Sequence, residues 1–255
     1  MMPSPTAMTV PALLYPGATH YTVMGLAARS EPIELKERYR LLMRLIHPDF
    51  AAAHAQTWPG DAAVRVEWFQ TMLQSAFLTT ITGPYKPFGE HFRAALAITA
   101  LRRGLRVDPG DEGAILAGVR SLPPHPDVRP ALERLRSAGY RLAAFTNSTA
   151  EVEEAQLRNA RLADLFEKAL SADTGKRLKP AAEAYANAAR ELGVPTAGMR
   201  MVAAHVWDVQ GALRAGCAAA FVERPGAVWN PLLERPDIVG PDLGEIAERV
   251  IEGDR

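Results

Sequence analysis

Cysteine is nearly absent from this 255-residue chain, where Cys217 stands alone. A single thiol excludes an internal disulfide and a thiolate metal cluster, and it gives no sign of export. Net charge is lacking as well: 29 basic side chains balance 29 acidic ones, which argues against a nucleic-acid binder driven by phosphate contacts. No run approaches the ~20 apolar residues that cross a bilayer. The opening "MMPSPTAMTVPALLYPG" has neither a basic start nor a long apolar core, so it is not read as a signal peptide. These absences give the expectation of a soluble, cytoplasmic protein that binds neither nucleic acid nor membrane.

What is present changes character along the chain. After a Pro-rich stretch to about Thr19, "HYTVMGLAARSEPIELKERYRLLMRLIHPDF" carries a helix-start signal in Ser30 and Pro32. Leu35, Tyr39, Leu42 and Ile46 share one helical face, and Lys36, Arg40 and Arg44 make a basic stripe on another. Pro48 ends that pattern. From about Glu67 a helical, aromatic-rich region follows, broken at "GPYKP". Beyond "PPHPD" strands and helices alternate: "RPALERLRSAG" (helix), "YRLAAFTN" (strand), "AEVEEAQLRNAR" (helix), "EKALSAD" (strand), "PAAEAYANAARELG" (helix), "MRMVAAH" (strand), "DVQGALRAG" (helix) and "CAAAFVER" (strand). Strands separated by helices of this length imply an α/β fold with a doubly wound parallel sheet.

Ligands of such sheets bind outside the carboxyl ends of the strands. Three polar clusters fall there: Thr146-Asn147-Ser148, Lys179 before Pro180, and His205 with Asp208. Each has a plainer account. Thr, Asn and Ser also cap helices, Asp208 stands where it would cap "VQGALRAG", and a Lys before Pro is usually solvated. Three clusters at successive strand ends favour a site.

Those residues carry a resemblance to the haloacid dehalogenase superfamily, and within it to the type II (L-2-haloacid) dehalogenases, over about residues 67–225. The resembling pieces are "LPPHPDVRPALERLRSAGYRLAAFTNST", "LFEKALSADTGKRLKPAAEAYANAARELGV" and "VAAHVWDVQGALRAGCAAAFVERPG". The resemblance implies a Rossmann-like core with a helical cap. It implies that Thr146 and Asn147 hold a substrate carboxylate or the nucleophile's oxygen, with Ser148 and His205 beside the substrate. It implies that Lys179 balances the carboxylates and developing anion, and that Asp208 orients hydrolytic water or Lys179. His205 stands where the family usually has Asn, and Ala203-Ala204 where it has two Ser. No cofactor and no metal is implied; the phosphatase branch holds Mg²⁺ largely through a first-motif Asp. The substrate implied is a small anionic 2-haloacid, and homodimerisation is a family expectation.

That first-motif Asp, the carboxylate that displaces the halide, has no counterpart at the end of an apolar strand. The stretch "VPALLYPGATHY" offers Tyr15-Pro16-Gly17 in its place, and Asp49 and Asp61 are the Asp residues upstream of the cap. The N-terminal part resembles instead the first half of a J-domain, a co-chaperone module. Tyr21, Gly25 and Leu26 match its opening, the basic stripe its helix, and His47-Pro48-Asp49 its loop. This resemblance implies a chaperone partner meeting those charges. The second copy, His125-Pro126-Asp127, reads as punctuation, with Asp127 capping the helix that follows.

The expected organisation is therefore a small, incomplete helical J-like segment (1–66), a helical cap (67–122) and an α/β core lacking the usual first strand (123–255). The seam falls near Val66-Glu67, and a helix packing across it would bury Ala63, Val66, Phe69 and Leu73. Three functions stand open: a type II dehalogenase-like hydrolase, a non-catalytic binder of small anions, and a co-chaperone acting through His47 to Asp49.

Overall fold

The computed structural model describes residues 20–25, 45–46, 62–104, 107 and 109–253, the first two stretches by their backbone. The elements in order are β1 (His20–Gly25), β2 (Leu45–Ile46), α1 (Ala62–Thr82), α2 (Phe88–Arg102), α3 (Pro109–Arg120), α4 (Val128–Ser137), β3 (Leu142–Thr146), α5 (Ala150–Asn159), β4 (Lys168–Ser171), α6 (Ala182–Leu192), β5 (Arg200–Ala203), α7 (Val206–Arg214), β6 (Ala218–Val222), β7 (Ile238–Gly240) and α8 (Leu243–Gly253). The sheet runs β4-β3-β1-β5-β6-β7. Pairs β3/β4, β5/β6 and β6/β7 are parallel, so the α/β reading with a parallel sheet and covering helices holds.

The slot expected to be vacated at the sheet centre is occupied by β1, running against its neighbours. It pairs Thr22 with Ala203 through Gly25 with Arg200 on one side, and Met24 and Gly25 with Ala143 and Leu142 on the other. Its start thus lies at the carboxyl end of the parallel strands. β2 pairs with the same end, His20 against Ile46.

The parallel strands are apolar throughout because helices cover both faces. Side chains alternate between them. Leu142, Ala144, Val202, Ala220 and Val222 meet α4 and α8 in one core, while Ala143, Phe145, Met201, Ala203 and Phe221 meet α6 and α7 in the other. Two helix ends follow the sequence signals: α6 stops at Gly193 with φ 70°, a left-handed cap that Gly adopts without strain, and α4 is followed by Gly139 at φ 89°. The C-terminal pair β7 and α8, which the strand-helix reading did not reach, completes the first face through Leu243, Ile246, Ala247 and Val250.

The cap helices α1, α2 and α3 gather on a third core around Trp68, Phe92, Leu96 and Ile115. α1 runs without interruption through Val66-Glu67. Its buried stripe is Val64, Trp68, Met72 and Ala76, not the expected set. Phe69 is also buried, but Val66 and Leu73 are only half-buried, and Ala63 lies outside the side chains described. Trp68 and Met72 of this stripe pack in the core shared with α2, and Ala76 packs in the core of the sheet beneath. Among the described residues no helix is long and apolar enough to cross a membrane.

Asp127 also departs from its expected role. It occupies the N-cap of α4 but makes no side-chain cap bond there. Its Oδ2 accepts from the Leu243 backbone N–H at 2.8 Å and from Arg224 Nη2 at 2.6 Å. The carboxylate thus takes the first N–H of α8, more than a hundred residues away, beside Asp242, whose Oδ1 accepts from the Glu245 N–H at 2.8 Å. Burial alone would raise its pKa, yet the bonds from Arg224 and the Leu243 N–H outweigh it and hold the carboxyl below the usual range. The motif His47-Pro48-Asp49 lies outside the described residues.

Candidate active site

Three strand ends converge where the parallel strands terminate. β3 ends at Thr146, β4 at Ser171 and β5 at Ala203. The capping accounts of the polar residues fail at each position. The N-cap of α5 is Thr149, not Thr146, Asn147 or Ser148, and no side chain bonds there. Asp208 lies inside the first turn of α7, behind an N-cap at His205. Lys179 is fully buried, as is Asp208.

Lys179 is the centre of the arrangement. Its Nζ donates to Asp208 Oδ2 at 2.9 Å and to the Phe145 carbonyl at 3.0 Å, and sits 4.6 Å from the Phe145 ring centroid. Tyr185, from α6, donates its hydroxyl to Asp208 Oδ1 at 2.7 Å. The carboxylate therefore has a donor on each oxygen, the condition under which a buried charge is tolerated. Burial, then the Asp208 charge, pushes the Tyr185 hydroxyl well above the usual tyrosine range, so it stays a donor. α7 packs tightly here: a Cβ on Gly211 would stand 2.6 Å from both the Tyr185 hydroxyl and Pro180 Cβ.

Asn147 is committed to the same loop. Its Oδ1 accepts from the Lys179 N–H at 2.7 Å, and its Nδ2 donates to the Lys179 carbonyl at 3.1 Å. This clamp fixes the end of β3 against the Lys179 loop. Thr146 Oγ1 accepts from the Ser148 N–H at 3.1 Å, and the Ser148 carbonyl accepts from Ser171 Oγ at 2.6 Å. The loop after β3 is held in place on both sides.

Above it lies a cavity of ≈ 130 Å³ between cap and sheet. Thr146, Asn147, Ser148, His205 and Trp207 supply its core side, and α1 and α2 its apolar side through Trp68, Phe69, Met72 and Phe92. Trp207 stacks on His205, ring centroids 5.4 Å apart at 29°, and Phe69 approaches His205 at 5.7 Å. Burial, with a further contribution from Lys179 and against Asp208, pushes His205 down to about 4, so its imidazole is neutral at pH 7. Arg120, from the end of α3, is the cation lining the cavity among the described residues, and no described Asp or Glu lines it. Cys217 offers no substitute nucleophile: it is buried in the core under α7, and burial pushes its thiol up to about 12.

The fold thus brings Thr146, Asn147, Ser148, Lys179, His205 and Asp208 together. The sequence reading missed Tyr185, Arg120 and the aromatic wall. Tyr185 lies six residues beyond Lys179 in a helix whose apolar pattern makes any Tyr look like core. Arg120 is the last residue of α3, and nothing in its neighbours marks it.

A family model described as haloacid dehalogenase-like hydrolase matches residues 45–216. That match starts at Leu45, inside the stretch likened to a J-domain. The chain is 28% identical to (S)-2-haloacid dehalogenase H-109 of Pseudomonas putida over 79% of its length and 90% of the relative's. It is 29% identical to haloacetate dehalogenase H-2 of Moraxella sp. (strain B), over 76% and 87%. Among solved structures, the L-2-haloacid dehalogenase RSc1362 superposes with a TM-score of 0.74 at 29% identity, covering 78% of this chain and 90% of that one. The L-2-haloacid dehalogenase of Xanthobacter autotrophicus with chloropropionic acid covalently bound gives 0.73 at 28%, covering 78% and 91%. With the family model spanning well over half the sequence and the fold agreeing, the chain belongs to the haloacid dehalogenase-like hydrolase family.

Proposed function

We propose that this chain is a hydrolase of the type II haloacid dehalogenase kind, converting a small 2-haloacid to the 2-hydroxyacid and free halide. The observation that carries the reading is the buried Lys179–Asp208–Tyr185 set beneath an apolar cavity floored by the Thr146–Ser148 loop. An apolar cavity with a few convergent polar groups suits a short acid with one charged end. The carboxylate of the acid lies against Thr146, Ser148 and Arg120. Its carbon–halogen bond lies among the aromatic side chains, where exclusion of water strengthens every charge interaction.

In the first step a protein carboxylate oxygen bonds to C2 as the carbon–halogen bond breaks and the halide leaves with the electron pair. In the second, water adds to the ester carbonyl; the acyl–oxygen bond breaks, giving the 2-hydroxyacid and restoring the carboxylate. Lys179 holds positive charge where the oxyanion of that addition develops, and Asp208 with Tyr185 keeps the ammonium in place. No described Asp or Glu lines the cavity, so the displacing carboxylate is to be sought outside the described residues. That same absence favours a second reading, a non-catalytic binder of small anions built on the dehalogenase scaffold. The co-chaperone reading rests on His47, Pro48 and Asp49, outside the described residues, and nothing described favours it.

Halide release from L-2-chloropropionate and chloroacetate, beside an Asp208→Asn control, separates the two. Release that the control abolishes is the expected result. Binding without release selects the anion binder, and neither binding nor release contradicts both.

A further inference from the structure

We infer, resting on the haloacid reading above, that Arg120 is the residue that selects a carboxylate over neutral molecules of the same shape, with Gln156 and Asn159 as its positioning residues. Arg120 lines the cavity together with Ser148, Thr149 and Val152, yet it is exposed, so it stands at the rim. Among the described residues its guanidinium has neither an ion pair nor a hydrogen bond. A cation over an apolar cavity with no carboxylate in its described lining draws anions toward it.

A last-turn arginine ordinarily serves its own helix, whose final four carbonyls lack partners within it. In α3 those carbonyls are already taken. Ser121 Oγ reaches the Ala117 and Gly118 carbonyls at 3.4 and 3.2 Å. Gln156 Nε2 donates to the Val119 carbonyl at 2.9 Å, and Asn159 Nδ2 to the Arg120 carbonyl at 2.6 Å. The guanidinium is therefore not needed there as a donor. Both amides come from α5, which also brings Val152 to the cavity and has Thr149 at its N-cap. Val152, Gln156 and Asn159 step by four and three residues along one face of that helix. One rigid element thus sets the separation between the end of α3 and the loop after β3. Such preorganisation lets a planar guanidinium meet a carboxylate with two parallel bonds. The acid's charge is read from the core side, and its apolar part by α1 and α2.

The test is calorimetric titration of the full chain with propionate and with propionamide, its neutral counterpart of the same shape. Arg120→Met is expected to weaken propionate about tenfold while leaving propionamide unchanged, and to flatten the salt dependence of propionate binding. Arg120→Lys, which keeps the charge but not the fork, is expected to recover only part of the loss. Asn159→Ala, at an exposed position, is expected to weaken propionate about threefold with the amide again unchanged. Propionate bound by Arg120→Met as tightly as by wild type overturns the inference and leaves the haloacid reading standing. Equal losses for acid and amide overturn it too, because they mark a merely structural role. Asn159→Ala indistinguishable from wild type overturns the positioning half. No binding of propionate by the wild-type chain overturns the inference together with the reading beneath it.

Discussion

Tyr185 and Asp208 meet twice: the phenol hydroxyl lies 2.7 Å from carboxylate Oδ1 and 3.0 Å from the Asp208 carbonyl. The other carboxylate oxygen receives Lys179, so one side chain of α7 ties α6 to the loop before it. Tyr185→Phe removes a donor from a fully buried charge. It is expected to cost about 1.5–3 kcal/mol in urea unfolding and to slow any halide release. A variant as stable and as active as wild type would show that the hydroxyl carries nothing.

Lys179 and Asp208 should be energetically coupled. Lys179→Met leaves a buried carboxylate without its ion partner and is expected to cost about 3–5 kcal/mol. Asp208→Asn leaves a buried ammonium. The double variant is expected to be less destabilised than the summed singles, by about 1–3 kcal/mol. Strict additivity in a double-mutant cycle would mean that the pair is not a unit.

Asp127 gives a sharper contrast, because sequence and structure assign its carboxylate to different helices. Asp127→Ala should loosen the start of α8 and remove an acceptor from the buried Arg224, whose Nη2 donates to it at 2.6 Å. Faster amide exchange at residues 243–246, with α4 unchanged, is the expected signature. Loosening confined to 128–131 would restore the local-cap account.

Stability should fall on mild acidification. The unfolded chain protonates His205 near pH 6.5, its ordinary range, whereas the folded chain does so only near 4. Protons then bind the unfolded state preferentially between those values. The stability contributed is complete above about pH 6.5 and is lost as pH falls toward 4. His125, also pushed down to about 4, acts in the same direction. Melting temperature followed from pH 7 to pH 4.5 should drop more steeply for wild type than for His205→Asn. Equal slopes would remove His205 from the account.

Much of the core could be read from the chain because its signals are local. "YRLAAFTN" is a continuous apolar run, as a strand covered on both faces requires, and Gly193 marks a helix end through its own conformational freedom. The convergence of Thr146, Lys179 and Asp208 was legible because strand ends of a parallel sheet meet at one edge. Distant pairings were not. No local pattern tells that Asp127 serves Leu243, that Tyr185 serves Asp208, or that α1 buries Val64, Trp68, Met72 and Ala76. The antiparallel insertion of His20–Gly25 was equally hidden: period-two patterning gives a strand its faces but no direction.

The central claim is that a haloacid sits between cap and sheet, and amide hydrogen exchange with saturating propionate, the unreactive halogen-free analogue of 2-chloropropionate, tests it most directly. The account predicts slowed exchange in three separate segments at once: 68–73 of the cap, 146–149 after β3, and 205–208 at the start of α7. Exchange unchanged in all three at a concentration where calorimetry shows binding would place the acid elsewhere and contradict it.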